Sequence, residues 1–161
     1  MLKRRTTSSG AGFTLIELLF AGAIFVLFAT GVVEVLLFGL EADRLGEETT
    51  IATEYAIEGI EALRSIQAKN FDDVAVTTAT GIARASGYWT LSGSDNAFEK
   101  YTRVITIEGV NRDGSGNIDE SGGSADADTK KVTVTVSWDV TPTRSNSVVL
   151  DTFLTRWKPT L

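Results

Sequence analysis

Between Phe13 and Leu40 the chain carries 28 residues rich in Leu, Phe, Val, Ala and Ile, and only Glu17 and Glu34 among them are charged. About 20 apolar residues cross the hydrocarbon of a bilayer. In lipid a backbone must satisfy its own polar groups, so such a run is expected to be a spanning helix. Lys3, Arg4 and Arg5 flank it on the N-terminal side, which keeps that end cytoplasmic and places everything after Leu40 outside. Glu17 is what a plain anchor does not explain. A carboxylate at membrane depth costs about 2.5–3.5 kcal/mol and usually has a function. A secretory signal fits no better, because it has a shorter apolar core followed by a small-residue cleavage site. Gly22, Gly31 and Gly39 interrupt the run, each weakening a helix by about 0.8–1.0 kcal/mol relative to Ala. No proline precedes Pro142, so no proline kink is expected. Glu34 is expected near the outer interface as a solvated acid.

Gly12-Phe13-Thr14-Leu15-Ile16-Glu17, behind a basic leader and ahead of that helix, resembles the class III signal of type IV prepilins and their pseudopilin relatives. The resemblance is close from Gly12 to Glu17 and extends in character to about Leu40. It implies that a prepilin peptidase cuts after Gly12 and methylates the new amino terminus on Phe13. Residues 1–12 would then be a cleaved leader, 13–40 the transmembrane and filament-core half of a long helix, and 41–161 an extracellular head. It further implies that Glu17 meets the amino terminus of a neighbouring subunit and sets register during assembly. The implied partners are other pilin subunits, the peptidase, an inner-membrane assembly platform and the membrane. The implied location is the bacterial cytoplasmic membrane, as a single-pass precursor with its N-terminus cytoplasmic, and then a filament at the cell surface. A short head and the missing proline point to a minor pilin or a pseudopilin.

Removal of residues 1–12 takes three cations with it, leaving 12 basic and 21 acidic side chains, a net charge of −9. That balance argues against nucleic acid as a partner, because such affinity rests on Lys and Arg neutralising phosphates. The chain has no Cys and no His. No disulfide can staple the head, and His-based acid–base chemistry and the usual zinc ligands are absent. Nothing pairs a nucleophile with a base, and no phosphate-cradling glycine motif follows a strand. The sequence points away from an enzyme.

From Glu41 charges appear, while Ala52, Ala56, Gly59, Leu63 and Ile66 recur at steps of four and three, which align on one helix face. Tyr55 and Ile60 widen that face. One helix is expected from about Thr14 to Lys69, spanning roughly 84 Å; two helices hinged near Gly46 are the alternative. Residues 70–87 read as a connecting loop, with Thr, Gly and Ser but no sustained period, and with room for a short strand or helical turn inside. The period then becomes two. Strands are expected at Tyr88–Leu91, Glu99–Glu108, Lys131–Val140 and Ser147–Trp157, with Pro142 and Asn146 in the turn before the last. Val132, Val134, Val136, Trp138 and Val140 alternate with Thr133, Thr135, Ser137 and Asp139, which marks a half-buried strand. Its apolar face is expected on the helix. The expected fold is α+β, a long helix on an antiparallel sheet of about four strands, and the pilin resemblance implies the same. Trp89, Trp138 and Trp157 read as packing aromatics.

The expected loop from Gly109 to Thr129 holds Asn111-Arg112-Asp113-Gly114-Ser115-Gly116-Asn117-Ile118-Asp119. Calcium takes six to eight oxygens from a tight loop with alternate side chains inward. With Asn111 as position one, Asn111, Asp113, Ser115 and Asp119 fall at ligand positions, Gly116 at the sharp turn, and the Asn117 carbonyl at seven. The closing Glu is missing, Gly122 standing in its place; Glu120, Asp126 or Asp128 could fold back. The alternative is a solvated acidic loop. Two functions follow: a filament subunit, or a non-polymerising, membrane-anchored adhesion module that uses calcium.

Overall fold

The computed structural model describes residues 12–120 and 122–156. Helix α1 spans Leu15–Lys69, one residue shorter at its start than expected. The chain divides into two compact units between Leu45 and Gly46, inside this helix. In the first unit almost nothing is covered: the large apolar side chains from Phe13 to Leu40 are 43–85% exposed. Among the described residues α1 is the helix long and apolar enough to cross a membrane.

In the second unit α1 is amphipathic. Ala52, Ala56, Gly59, Leu63 and Ile66 are all buried, as the spacing predicts, together with Glu48, Ile60 and Ala62. Gly59 lets the helix lie close: a Cβ built there would stand 3.2 Å from both Arg103 Cδ and Val134 Cγ1. Asn70 ends α1. Its backbone is extended and its side chain accepts from the Asp72 N–H, starting a 3₁₀ turn at Phe71–Asp73.

Six strands follow, not about four: β1 Thr77–Ala85, β2 Tyr88–Ser92, β3 Asn96–Phe98, β4 Tyr101–Arg112, β5 Ser124–Thr141 and β6 Arg144–Thr155. Every pairing is antiparallel, in the order β2-β1-β4-β5-β6, with β3 also on β4. The connection over residues 70–87 contains a helical turn at Phe71–Asp73 and a strand of nine residues, longer than the short one expected there. Its threonines suit a pleated surface, but its polar character hid them. β1 serves two neighbours. Thr77 and Thr80 pair with Ile107 and Ile105 of β4, while Gly81 to Ala85 pair with β2. Gly81 sits at the hand-over, where a Cβ would meet the Asp95 carbonyl oxygen at 2.3 Å. Glu99, expected to open a strand, instead turns at φ 52° between β3 and β4. Asn146 lies in β6 rather than in the preceding turn, and Trp157 lies outside the described residues.

The core lies between α1 and the inner face of β4 and β5. Tyr101, Ile105 and Ile107 alternate inward on β4, and Val132, Val134, Val136 and Trp138 on β5; Val140 is half-buried. The two ends of the Gly109–Thr129 segment are ladder: Val110, Asn111 and Arg112 pair with Asp126, Ala125 and Ser124 beyond a bulge.

Candidate assembly segment and cation loop

Gly12, Phe13 and Thr14 stand ahead of α1. Thr14 caps the helix. The Glu17 N–H donates to Thr14 O at 3.1 Å and lies 3.4 Å from Thr14 Oγ1, and the Leu18 N–H donates to Thr14 O. A Thr followed three residues later by Glu is a helix-capping pattern, and a carboxylate in the first turn complements the positive end of the helix dipole. These bonds use the Glu17 backbone N–H, so the local contribution of its carboxylate is the dipole interaction alone. Phe13 is 85% exposed, and space around Gly12 is open to 4 Å. Further along, Leu27, Phe28, Val32, Val35 and Leu36 border an apolar groove at Gly31.

In the β4–β5 loop, Asp113 closes a turn. Its Oδ1 accepts from the Ser115 and Asn117 N–H groups at 2.8 Å each, and its Oδ2 from Asn117 Nδ2 at 3.1 Å. The Asn117 donors, then the Ser115 amide, hold the Asp113 carboxyl below its ordinary range. The Asn111 carbonyl accepts from the Asp119 amide, and Asp119 Oδ1 accepts from the Gly122 amide. Arg112 brings a cation of the chain's own. Its Nη1 donates to Gly116 O at 2.7 Å, its Nε to Asp126 Oδ2 at 2.6 Å, and its Nη2 to Thr129 Oγ1 at 3.1 Å. Arg112, followed by the Thr129 hydroxyl and the Asp128 amide, pulls the Asp126 pKa down to about 2. The structure thus gathers Asn111, Asp113, Ser115, Asn117 and Asp119 into one loop, but with Asp113 turned to backbone amides. Among the described residues no group of three or more acidic, His or Cys side chains is placed to hold a metal ion.

Two polar clusters that sequence reasoning missed tie α1 to the sheet. Trp138 Nε1 donates to Glu48 Oε2 at 2.9 Å, and Lys100 Nζ lies 2.5 Å from Glu48 Oε1. Glu48 is 6% exposed, a burial a carboxylate tolerates only when paired and hydrogen-bonded. The turn at Glu99 presents Lys100 to it. The second cluster surrounds buried Arg103, which donates to Tyr55 O, Glu58 Oε2 and Asn96 Oδ1 at 2.9–3.0 Å and stacks on the Tyr55 ring. Asn96 also clasps the Ile82 backbone through both its amide groups. A charged residue at an inward position of an alternating strand, Arg103 between Tyr101 and Ile105, was the available signal.

Comparison with family models, with curated proteins and with solved structures finds no match to this chain.

Proposed function

We propose that the chain is a structural subunit, pilin or pseudopilin, of a type IV pilus-like or type II secretion-like filament. It would be cleaved after Gly12, N-methylated at Phe13, and assembled by packing of the apolar half of α1. The observation that carries this reading is the Gly12–Glu17 motif at the head of a helix whose apolar side chains from Phe13 to Leu40 are left uncovered. A helix hydrophobic all round is a buried one or a membrane span. Lipid before assembly and neighbouring helices after it would both cover it. Glu17 would pair with the methylated amino group of a neighbour. Each charge alone is costly in an apolar core, so the pair forms only at the height that brings both together.

With six strands, the head's small size no longer argues for a minor subunit; only the missing proline does. The test is chemical and cellular. Mass spectrometry of the N-terminal peptide should find N-methyl-Phe13. Glu17→Ala should be inserted and cleaved but depleted from sheared filaments relative to membranes. A different mature start, or Glu17→Ala filaments at wild-type level, overturns the reading. The Thr14–Glu17 cap favours one alternative, a membrane-anchored, non-polymerising adhesion module in which Glu17 serves helix initiation alone.

A further inference from the structure

Strand β6 is the last of the sheet, and among the described residues no strand pairs with its outer edge. Exposed edges are usually blunted by short length, Pro, Lys or bulges. β6 is 12 residues long, lacks Pro and Lys, and its one register shift against β5 lies at the Asp139/Thr141 end. The core also stops short of it. Val134 and Val136 of β5 are fully buried, yet their partners Leu150 and Val148 are only half-buried. On the outer face Val149 and Phe153 are 53% and 44% exposed. The edge offers apolar side chains on both faces and, among the described residues, a row of backbone donors and acceptors that no strand pairs; at its end Gln67 donates to Thr155 O.

We infer that β6 pairs with β6 of a second copy, antiparallel, about a two-fold axis through Val149. The side chains select this register. A two-fold axis perpendicular to the sheet keeps each face with its own kind, so only residues of like parity can oppose each other. With Val149 opposite Val149, Val148 meets Leu150, Ser147 meets Asp151, and Asn146 meets Thr152. Apolar faces apolar, and the carboxylate faces a hydroxyl. An axis through Leu150 would set Asp151 against Val149, and one through Asp151 would oppose two carboxylates. An axis through Val148 would set Leu150 against Asn146. Directly opposed pairs are the unit of sheet stability, and like charges there are unfavourable. This self-complementarity favours a second copy over an unrelated extended peptide.

The pairing has a direction. Within the second unit α1 runs in the same sense as β6: Glu48 contacts Trp138, which pairs with Asn146, while Gln67 donates to Thr155 O. The two-fold axis therefore sets the two head helices antiparallel. Neighbours in one polar filament all point the same way. The contact does not depend on the filament reading.

The chain has no Cys, so single cysteines report the register in the full-length protein in detergent micelles. A disulfide needs Cα atoms about 4.4–6.8 Å apart, which directly opposed strand residues satisfy. On mild oxidation Val149→Cys should shift from the monomer to the dimer band. Ser147→Cys and Asp151→Cys should each stay monomeric alone and cross-link when differently tagged forms are mixed. A monomeric Val149→Cys overturns the pairing. So does self-linking of Ser147→Cys as strong as that of Val149→Cys, which would mean parallel pairing or random collision. Because the assay involves neither cleavage nor filaments, its failure leaves the filament reading untouched, and the converse holds.

Discussion

Trp138 and Glu48 hold α1 on the sheet near the start of the second unit, and two substitutions separate packing from hydrogen bonding. Trp138→Phe keeps an aromatic ring in the core but deletes the indole N–H that Glu48 accepts at 2.9 Å. A hydrogen bond to a charged group contributes about 1.5–3 kcal/mol. Glu48 keeps Lys100 at 2.5 Å, and the Lys100 side chain is 37% exposed, so part of the loss is made good by the lysine and by water. The expected destabilisation is about 1–2 kcal/mol. Trp138→Ala also empties a site that is 3% exposed and borders the Tyr101 ring at 5.6 Å between centroids. Truncating a buried Trp costs about 3–5 kcal/mol, so the total should be about 4–7 kcal/mol. Domains of this size are stable by about 5–15 kcal/mol, so the Ala variant should lie at the margin of folding while the Phe variant stays folded. The assay is urea unfolding of residues 46–161 followed by far-ultraviolet circular dichroism. Glu48→Met, which cannot accept the indole N–H, alone and with Trp138→Phe, completes a double-mutant cycle with an expected coupling of about 1–2 kcal/mol. A Phe variant within about 0.5 kcal/mol of wild type and no coupling would refute the hydrogen-bond argument. An Ala loss below about 1 kcal/mol would refute the burial argument as well.

Gly81→Ala should cost roughly 2 kcal/mol or more, because its Cβ would strike a backbone carbonyl, whereas Gly109→Ala, with open space around it, should change little; equal urea midpoints for the two would contradict the hand-over geometry. Asp126, held to about 2 chiefly by Arg112, with Asp113 and Asp72 also lowered by their donors, contributes stability that is complete above the unfolded carboxylate pKa near about 4. That contribution is lost as pH falls from about 4 to about 2. The unfolding midpoint should therefore be flat above pH ~5 and drop below it, and Asp126→Asn should flatten part of the drop; an unchanged profile would contradict the pairing. Calcium held through Asn111, Asp113, Ser115 and Asp119 should give calorimetric heat at millimolar concentration and shift the Ser115 and Asn117 amide resonances, whose N–H groups donate to Asp113. A flat calorimetric trace would remove the cation from the loop.

The long helix, its apolar first half and its buried stripe from Ala52 to Ile66 were legible in the sequence. So was the inward face Val132–Trp138 of β5. Each is a local periodicity, and a face that must be covered announces itself at 3.6 or 2 residues per repeat. The Gly12–Glu17 motif was legible for the same reason, as neighbouring residues in one stretch. What the local pattern could not carry was pairing across distance. β1 reads as a polar loop until β4 on one half and β2 on the other satisfy its backbone. Nothing near Glu48 or Arg103 in the chain names the partners that Lys100, Trp138, Glu58 and Asn96 become, which converge on them from 7 to 90 residues away. In the 109–129 segment the oxygens sit at calcium-like spacing, but spacing does not say what each oxygen faces. The tertiary fold brought Arg112 against Asp126 and Thr129 and left Asp113 to the backbone amides, because a buried or ladder-flanking donor takes the nearest available acceptor. Tertiary structure alone also decided which strand became the open edge. No expected strand carries a mark of its place in the sheet, and only the order of the finished sheet leaves β2 and β6 at its ends.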